Sequence, residues 1–380
     1  MKQKVSWSYL MIFVCMISAY VIPDYYLDSL GLPVSSMLLG GFLVISLLLY
    51  FKNNGNIKIY DLIYIILIMF CIIYQKSISP LVLLTPLVAV KCLNQQAVIN
   101  IKRVLLNSNL PYLALIFTII YSVFYGISTG RFVHTGIFEV NSSGLAVFLL
   151  GLIFMKRNKM QGTLILLFGC LSFSRNYILS LLVYLVINTK KDGFFKRHFN
   201  SKIFDFRFLM IFTGVILYVL GGICQYKYSQ GEILYETTFW GRMTNFFDIS
   251  NYFRFTTNYF LIEIFNQNPS LWLVGCKVNE FKRLCLLYAA QNGQLYVGNN
   301  PHNFLFSYIK LYGMAGLIDI FYVGKLFKKF LRKENFGMYL AVCIYCIFLS
   351  VGANGYWLLL TLSVMILYID GDSEEKVSNA

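Results

Sequence analysis

Hydrophobic positions in this chain neither alternate nor keep to one helical face; they come in unbroken runs separated by short polar gaps. The runs cover residues 5–22, 35–51, 59–74, 79–93, 110–125, 142–155, 163–173, 177–189, 208–224, 312–327, 338–353 and 356–369. A helix that is apolar all round has no face for water, and a bilayer can be crossed only by segments that satisfy their own backbone groups. The pattern therefore predicts an all-α polytopic integral membrane protein with about 12 transmembrane helices, several of them shorter than the ~20 residues of an upright span. The first run ends in Pro23-Asp24-Tyr25 rather than in a small-residue cleavage site, so it reads as an uncleaved helix. Pro80 and Pro86 make the fourth span the weakest, and Lys91, Lys102 and Arg103 mark an amphipathic connector after it.

One interval breaks the rhythm. Residues 225–303 form the longest stretch without a spanning run, so the chain reads as a single membrane domain, 1–380, with one large loop inserted between its ninth and tenth spans. Within the loop Phe253, Tyr259, Phe260, Ile264 and Phe265 recur near helical spacing, which predicts an amphipathic helix lying on or dipping into the outer leaflet.

Composition supports the class: 58% hydrophobic and 13% charged residues do not describe a soluble domain. The net charge of +15 would suggest a nucleic-acid partner in a soluble protein, but here the basic residues follow topology. With a cytoplasmic start, 22 of the 32 Lys and Arg residues fall on the cytoplasmic side, and six of the other ten lie in the long loop. Both termini are then cytoplasmic and the loop is extracytoplasmic. No nucleic-acid partner, metal or nucleotide cofactor is called for: zinc-type pairing of His and Cys and a Gly-rich phosphate loop are both missing from the sequence. Cys276 and Cys285 face the oxidising side, where either a disulfide or two free thiols is compatible with their spacing. Cys343 and Cys346 have redox-motif spacing inside a span, where packing is the plain reading.

Ionisable residues at membrane depth are costly unless paired or wet, so they are the first place to look for chemistry. Arg175 interrupts two apolar runs at their outer end; its planar fork suits a phosphate, and it equally suits a turn residue snorkelling to the interface. Arg254 is carried by the loop helix to the level of lipid phosphates, where a headgroup contact would also explain it. His302 follows Pro301 at the end of the loop; imidazole accepts a proton near neutral pH, although a lone histidine is more often a structural hydrogen-bonder. His134 is also extracytoplasmic, whereas His198 sits in the basic cytoplasmic stretch. Glu232, Glu236, Asp248, Glu263 and Glu280 are alternative bases in the loop, Arg242 is a further anion-binding candidate, and Asp319 lies inside the tenth span.

In combination these residues carry a resemblance. Ser174-Arg175 between two spans, Arg254 in a large outer loop, Asn268-Pro269 with Gly275, and Pro301-His302-Asn303 before a helix are similar to the O-antigen polymerase and ligase family. The segment Arg131 to Phe138, with Asn141 and Gly144-Leu145-Ala146, resembles the same family, and the likeness extends over residues 131–327. Asn176 stands where the family often has glycine, and Leu273, Val274 and Cys276 replace its usual small residues around Gly275.

The resemblance implies a glycosyltransferase of the bacterial inner membrane, working on its periplasmic face without metal, nucleotide or other cofactor. Its donor and acceptor would be undecaprenyl-diphosphate-linked glycans, with membrane lipids around it and a chain-length regulator as a further partner. His302, Arg254 and Arg175 are then the catalytic candidates, Arg175, Arg254 and Arg242 the diphosphate binders, and Asn303, Arg131 and His134 secondary candidates. The polymerase member, which adds a growing glycan to a new lipid-linked repeat, is preferred to the ligase, whose acceptor is a lipopolysaccharide core. A flippase for the same lipids is the expectation from a different class.

Overall fold

The computed structural model describes residues 7–23, 34, 40–41, 43–44, 58–92, 95–129, 132–136, 140–172, 174–189, 204–233, 245, 247–296, 300–348, 363 and 366. Every regular element among them is helical. The first half contains α1 (Trp7–Met16, continued by a π turn to Val21), α2 (Ile59–Gln75), a 3-10 turn (Ser79–Leu83) leading into α3 (Leu84–Cys92), α4 (Gln95–Asn107) and α5 (Leu110–Thr129). Next come α6 (Val140–Arg157), α7 (Lys159–Cys170), α8 (Arg175–Thr189) and α9 (Phe206–Ser229). The loop supplies α10 (Ile249–Gln267), α11 (Ser270–Val274) and α12 (Val278–Gln291), and α13 (Phe304–Phe330) and α14 (Phe336–Phe348) follow. The second predicted span and the last one lie almost entirely outside the described residues.

Among the described residues two helices are long and apolar enough to cross a membrane, α9 and α13, and a third crossing is available if the pair α4 and α5, bent by 55°, is one span. The bend has a local cause: Arg157 at the end of α6 donates from Nε to the Leu106 carbonyl at 2.6 Å and from Nη2 to the Ser108 carbonyl. It thereby satisfies the last acceptors of α4 before Pro111 opens α5. Helices α7 and α8 do not merge. Leu171 closes α7, Ser174 Oγ accepts the Tyr177 N–H at the start of α8, and α8 turns back so that Tyr177 and Tyr184 both pack on Phe148 of α6.

The tenth span differs from its expectation in start and in shape. It begins at Phe304, not Tyr312, and it is broken at Gly313, where φ is 54° and ψ −129°. The two arms fold back on one another. A Cβ at Gly316 would overlap the Tyr308 carbonyl, and Phe206 packs against both Phe304 (ring centroids 5.8 Å) and Phe327 (5.0 Å). A straight helix would hold those two phenylalanines about 34 Å apart.

The acceptors released by the break are taken up from outside the helix. The Lys310 carbonyl accepts the Cys276 N–H at 2.6 Å, the Leu311 carbonyl accepts Gln75 Nε2, and the Tyr312 carbonyl accepts the Cys71 thiol at 3.5 Å. Only glycine fits here, because a side chain at Gly313 would meet the Trp272 carbonyl and the backbone of α11.

The loop helix α10 does not lie on a surface. It runs antiparallel along α9, with Tyr252 on Tyr228, Phe255 and Tyr259 on Gly221, and Glu263 accepting the Tyr218 hydroxyl at 2.9 Å. From Tyr252 to Phe265 it is buried or half-buried throughout, because its polar positions Thr256, Thr257 and Asn258 turn back on its own carbonyls. The amphipathic loop helix is instead α12, which buries Phe281, Cys285, Tyr288 and Ala289 and exposes Lys282 and Arg283.

Candidate active site

Asn303 fixes the start of α13. Its Oδ1 accepts the Phe306 N–H at 3.4 Å, its carbonyl accepts the Ser307 N–H, and its Nδ2 donates to Thr213 Oγ1 of α9 at 3.4 Å. Ser307 Oγ donates to the Pro301 carbonyl at 2.8 Å, which holds the residues before the cap. His302 is therefore carried on an immobilised step between loop and helix.

Two further helices reach it. The His302 N–H donates to Asn258 Oδ1 at 3.1 Å, and Asn258 Nδ2 donates at 3.1 Å to the carbonyl of Arg254, one turn earlier on α10. The imidazole donates to the Phe348 carbonyl at the end of α14. That carbonyl also accepts Asn176 Nδ2, at 3.4 Å, from the first turn of α8, beside Arg175. Helices α8 and α14 run antiparallel, as the Ser180 bond to the Ala341 carbonyl shows, so the N-terminus of one meets the C-terminus of the other.

The electrostatics follow from this placement. Burial, and then the positive charge of Arg254, push the His302 imidazole down from 6.5 to about 4, against the opposing bond to Phe348. At neutral pH the ring is uncharged, with one nitrogen donating and the other left as an acceptor. Arg175, half-buried, opens α8, where helix polarity also favours an anion.

The structure thus brings His302, Arg254 and Asn303 into one network and joins it, through Phe348, to the turn that carries Arg175. The cluster sits level with Thr213 to Gly221 of α9 rather than beyond that helix's C-terminal end at Ser229. It is recessed into the bundle, because α10 and the first arm of α13 enter alongside α9.

The other candidates sort differently. His134 is buried elsewhere, its N–H donating to Ser122 Oγ at 3.0 Å and its ring meeting the edge of Tyr125. Arg131, Arg242, Glu236 and His198 lie outside the described residues. Among the alternative bases, Glu263 is bonded by Tyr218, Glu232 is paired with Lys227 at 2.6 Å, and Asp248 caps α10 through the Asn251 N–H at 2.8 Å. Cys276 and Cys285 are free thiols rather than a disulfide, and burial pushes each up to about 12.

Three participants were not singled out by the sequence. Asn258 lies four residues after Arg254, on the same face of α10, and that spacing is the signal that could have found it. Asn176 is the neighbour of Arg175. Lys310 is fully buried two turns into α13, with Nζ donating to Asn300 Oδ1 at 2.7 Å and lying 5.7 Å from the Phe281 ring centre. An apolar groove of about 340 Å³ is lined by Ile119, Ser122, Val123, Phe132, Phe168 and Leu171. No protein-family model, curated protein or solved structure matches this chain.

Proposed function

We propose that the protein is an O-antigen polymerase, a glycosyltransferase that joins undecaprenyl-diphosphate-linked repeat units into polysaccharide at the periplasmic face of a bacterial inner membrane. On this reading the chain has about 12 spans, both termini in the cytoplasm and the 225–303 loop in the periplasm. The observation that carries the proposal is the meeting of one uncharged imidazole, before α13, with two arginine-bearing helix turns, one of α10 and one of α8. Arg254 and Asn258 bear on His302, and Asn176, the neighbour of Arg175, reaches the same Phe348 carbonyl as the imidazole.

In the proposed step the acceptor hydroxyl oxygen attacks the anomeric carbon, and the bond from that carbon to the diphosphate oxygen breaks with its electron pair leaving on the diphosphate. The hydroxyl proton passes to the free nitrogen of His302. Arg175 and Arg254 stabilise the developing charge by bonds that strengthen as it forms. An anion held at Arg254 also cancels one of the two causes that weaken His302 as a base, so donor binding raises its proton affinity. The apolar groove lined by Ile119, Val123, Phe168 and Leu171 suits part of a prenyl chain.

A second reading, a transporter for the same lipid, is favoured by the broken helix at Gly313, since discontinuous helices line transport sites. The two are separated by purified protein given only a synthetic undecaprenyl-diphosphate-linked repeat unit. Polymer is expected, and His302→Ala should lose it by about 100-fold or more while remaining folded. Transfer only after a lipopolysaccharide core is added would make the protein a ligase, and no transfer with either acceptor would overturn the glycosyltransferase reading.

A further inference from the structure

A second buried polar site lies on the far side of the α13 break. Asp319 is fully buried in the second arm, and its Oδ1 is 2.6 Å from the Tyr64 hydroxyl of α2. The same hydroxyl is 2.8 Å from the Leu83 carbonyl at the end of the 3-10 turn. A tyrosine has one proton and a carbonyl can only accept. If Tyr64 donates to Leu83, the proton between Tyr64 and Asp319 belongs to the carboxyl. The second oxygen, Oδ2, is buried with no hydrogen-bond partner, an arrangement far more costly for a carboxylate than for a neutral acid.

Asp61 provides the contrast. It sits one helical turn before Tyr64 on α2 and is satisfied as an anion: Lys91 Nζ is 2.7 Å from Oδ2, Tyr322 donates to Oδ1 at 2.6 Å, and the Lys58 N–H donates at 3.1 Å. The rings of Tyr64 and Tyr322 stack at 4.9 Å between the two carboxyls. The groups that face Asp319 are Tyr64 of α2, Tyr308 and Tyr312 of the first arm of α13, and Tyr322 of its own arm. The charged pair Asp61–Lys91 stands beyond Tyr322, whose ring Lys325 also approaches, at 5.2 Å.

We propose that Asp319 is a proton-binding site in the middle of the helix bundle, and that Tyr64 switches its hydrogen bond between Leu83 and Asp319 according to whether that proton is present. On release, the Tyr64 proton turns to the carboxylate and the Leu83 carbonyl loses its donor. The 3-10 turn against α13 is therefore the element that feels the change. A proton, not a metal ion, is the ligand, because a single carboxyl with a tyrosine 2.6 Å away leaves no coordination shell, and no metal-binding cluster occurs among the described residues. The site does not depend on what the His302 cluster transfers.

Infrared difference spectra of the full chain in lipid nanodiscs, titrated with pH, test this directly. The expected result is a carbonyl band of a protonated acid near neutral pH that is absent in Asp319→Asn and shifted in Tyr64→Phe. Absence of the band, its survival in Asp319→Asn, or its loss on adding sodium at constant pH would overturn the proposal. Should Asp319→Asn fail to accumulate, a hydrophobic carbodiimide on the wild-type protein decides, since it modifies buried protonated carboxyls. An adduct at Asp319 and none at Asp61 is expected, and an unmodified Asp319 sinks the idea.

Discussion

The cluster around His302 and the column around Asp319 are both buried and polar, and each holds a titratable group without charge, yet they are built from opposite materials. The first is assembled where helices end: the caps of α8 and α13, the last carbonyl of α14 and the polar face of α10. The second is assembled from helix interiors, where the backbone is already satisfied and only tyrosine hydroxyls and one carbonyl are on offer. Helix ends leave donors, acceptors and partial charge for a substrate. Helix interiors offer a closed set of bonds, suited to holding something no larger than a proton. The comparison assigns substrate chemistry to the first region and proton binding to the second.

Both regions hang on one residue, and the largest expected effect is its replacement. Gly313→Ala places a side chain at φ 54° and drives it into the Trp272 carbonyl. Strain of about 1–3 kcal/mol is joined by an overlap that only movement of the backbone relieves. The hairpin opens, and with it go the cap beside His302 and the seat of Asp319. Gly231→Ala is the control: φ is 73° but nothing lies within 4 Å, so only about 1 kcal/mol is expected. Thermal unfolding in detergent should show a large loss for the first variant and a small one for the second. Equal losses would mean the hairpin is not held by the fit at Gly313.

How much of this was legible in the sequence follows from the same distinction. Apolar runs mark helices well, and α2, α6 and α8 lie close to the runs that predict them, because a bundle interior rewards unbroken hydrophobicity whatever the helix touches. The first arm of α13 lies before the apolar run that begins at Tyr312, because it carries the polar Ser307 and Lys310, both of which are paired inside the bundle. The spacing of Phe253, Tyr259, Phe260, Ile264 and Phe265 predicts a helix on or dipping into the outer leaflet, whereas α10 is buried along α9, its Thr256, Thr257 and Asn258 bonded to their own helix. At the site, Arg175, Arg254 and His302 stood out as charges and a histidine in an apolar chain. The groups that join them stand out less: one is a backbone carbonyl, Phe348, and another an asparagine, Asn258, marked only by its spacing from Arg254.

An intermediate effect sharpens the electrostatic half of the comparison. His302 stays neutral down to about 4, against an ordinary 6.5, through burial first and Arg254 second. Between those values the unfolded chain binds a proton that the folded protein refuses, so the His302 contribution to stability is present above the window and is lost as pH falls through it. In Arg254→Gln the second cause is gone and the first remains, so the titration moves up without reaching 6.5. The chain has three histidines, and labelled-histidine NMR with a His302→Gln assignment control reads this directly. An unmoved or lowered titration would show that Arg254 does not face the ring.

The smallest effect concerns the join between the cluster and α8. Asn176 meets the Phe348 carbonyl across a long 3.4 Å bond at an exposed residue, while His302 shares the same acceptor from the buried side. A bond of that kind contributes about 0.5 kcal/mol, so Asn176→Ala should change the transfer rate by about twofold, with Phe348 still held by His302. Should Asn176→Ala instead cost as much as His302→Ala, the carbonyl is aimed by α8 rather than by α13. The turn that carries Arg175 and Asn176 would then set the geometry of the helix-end cluster.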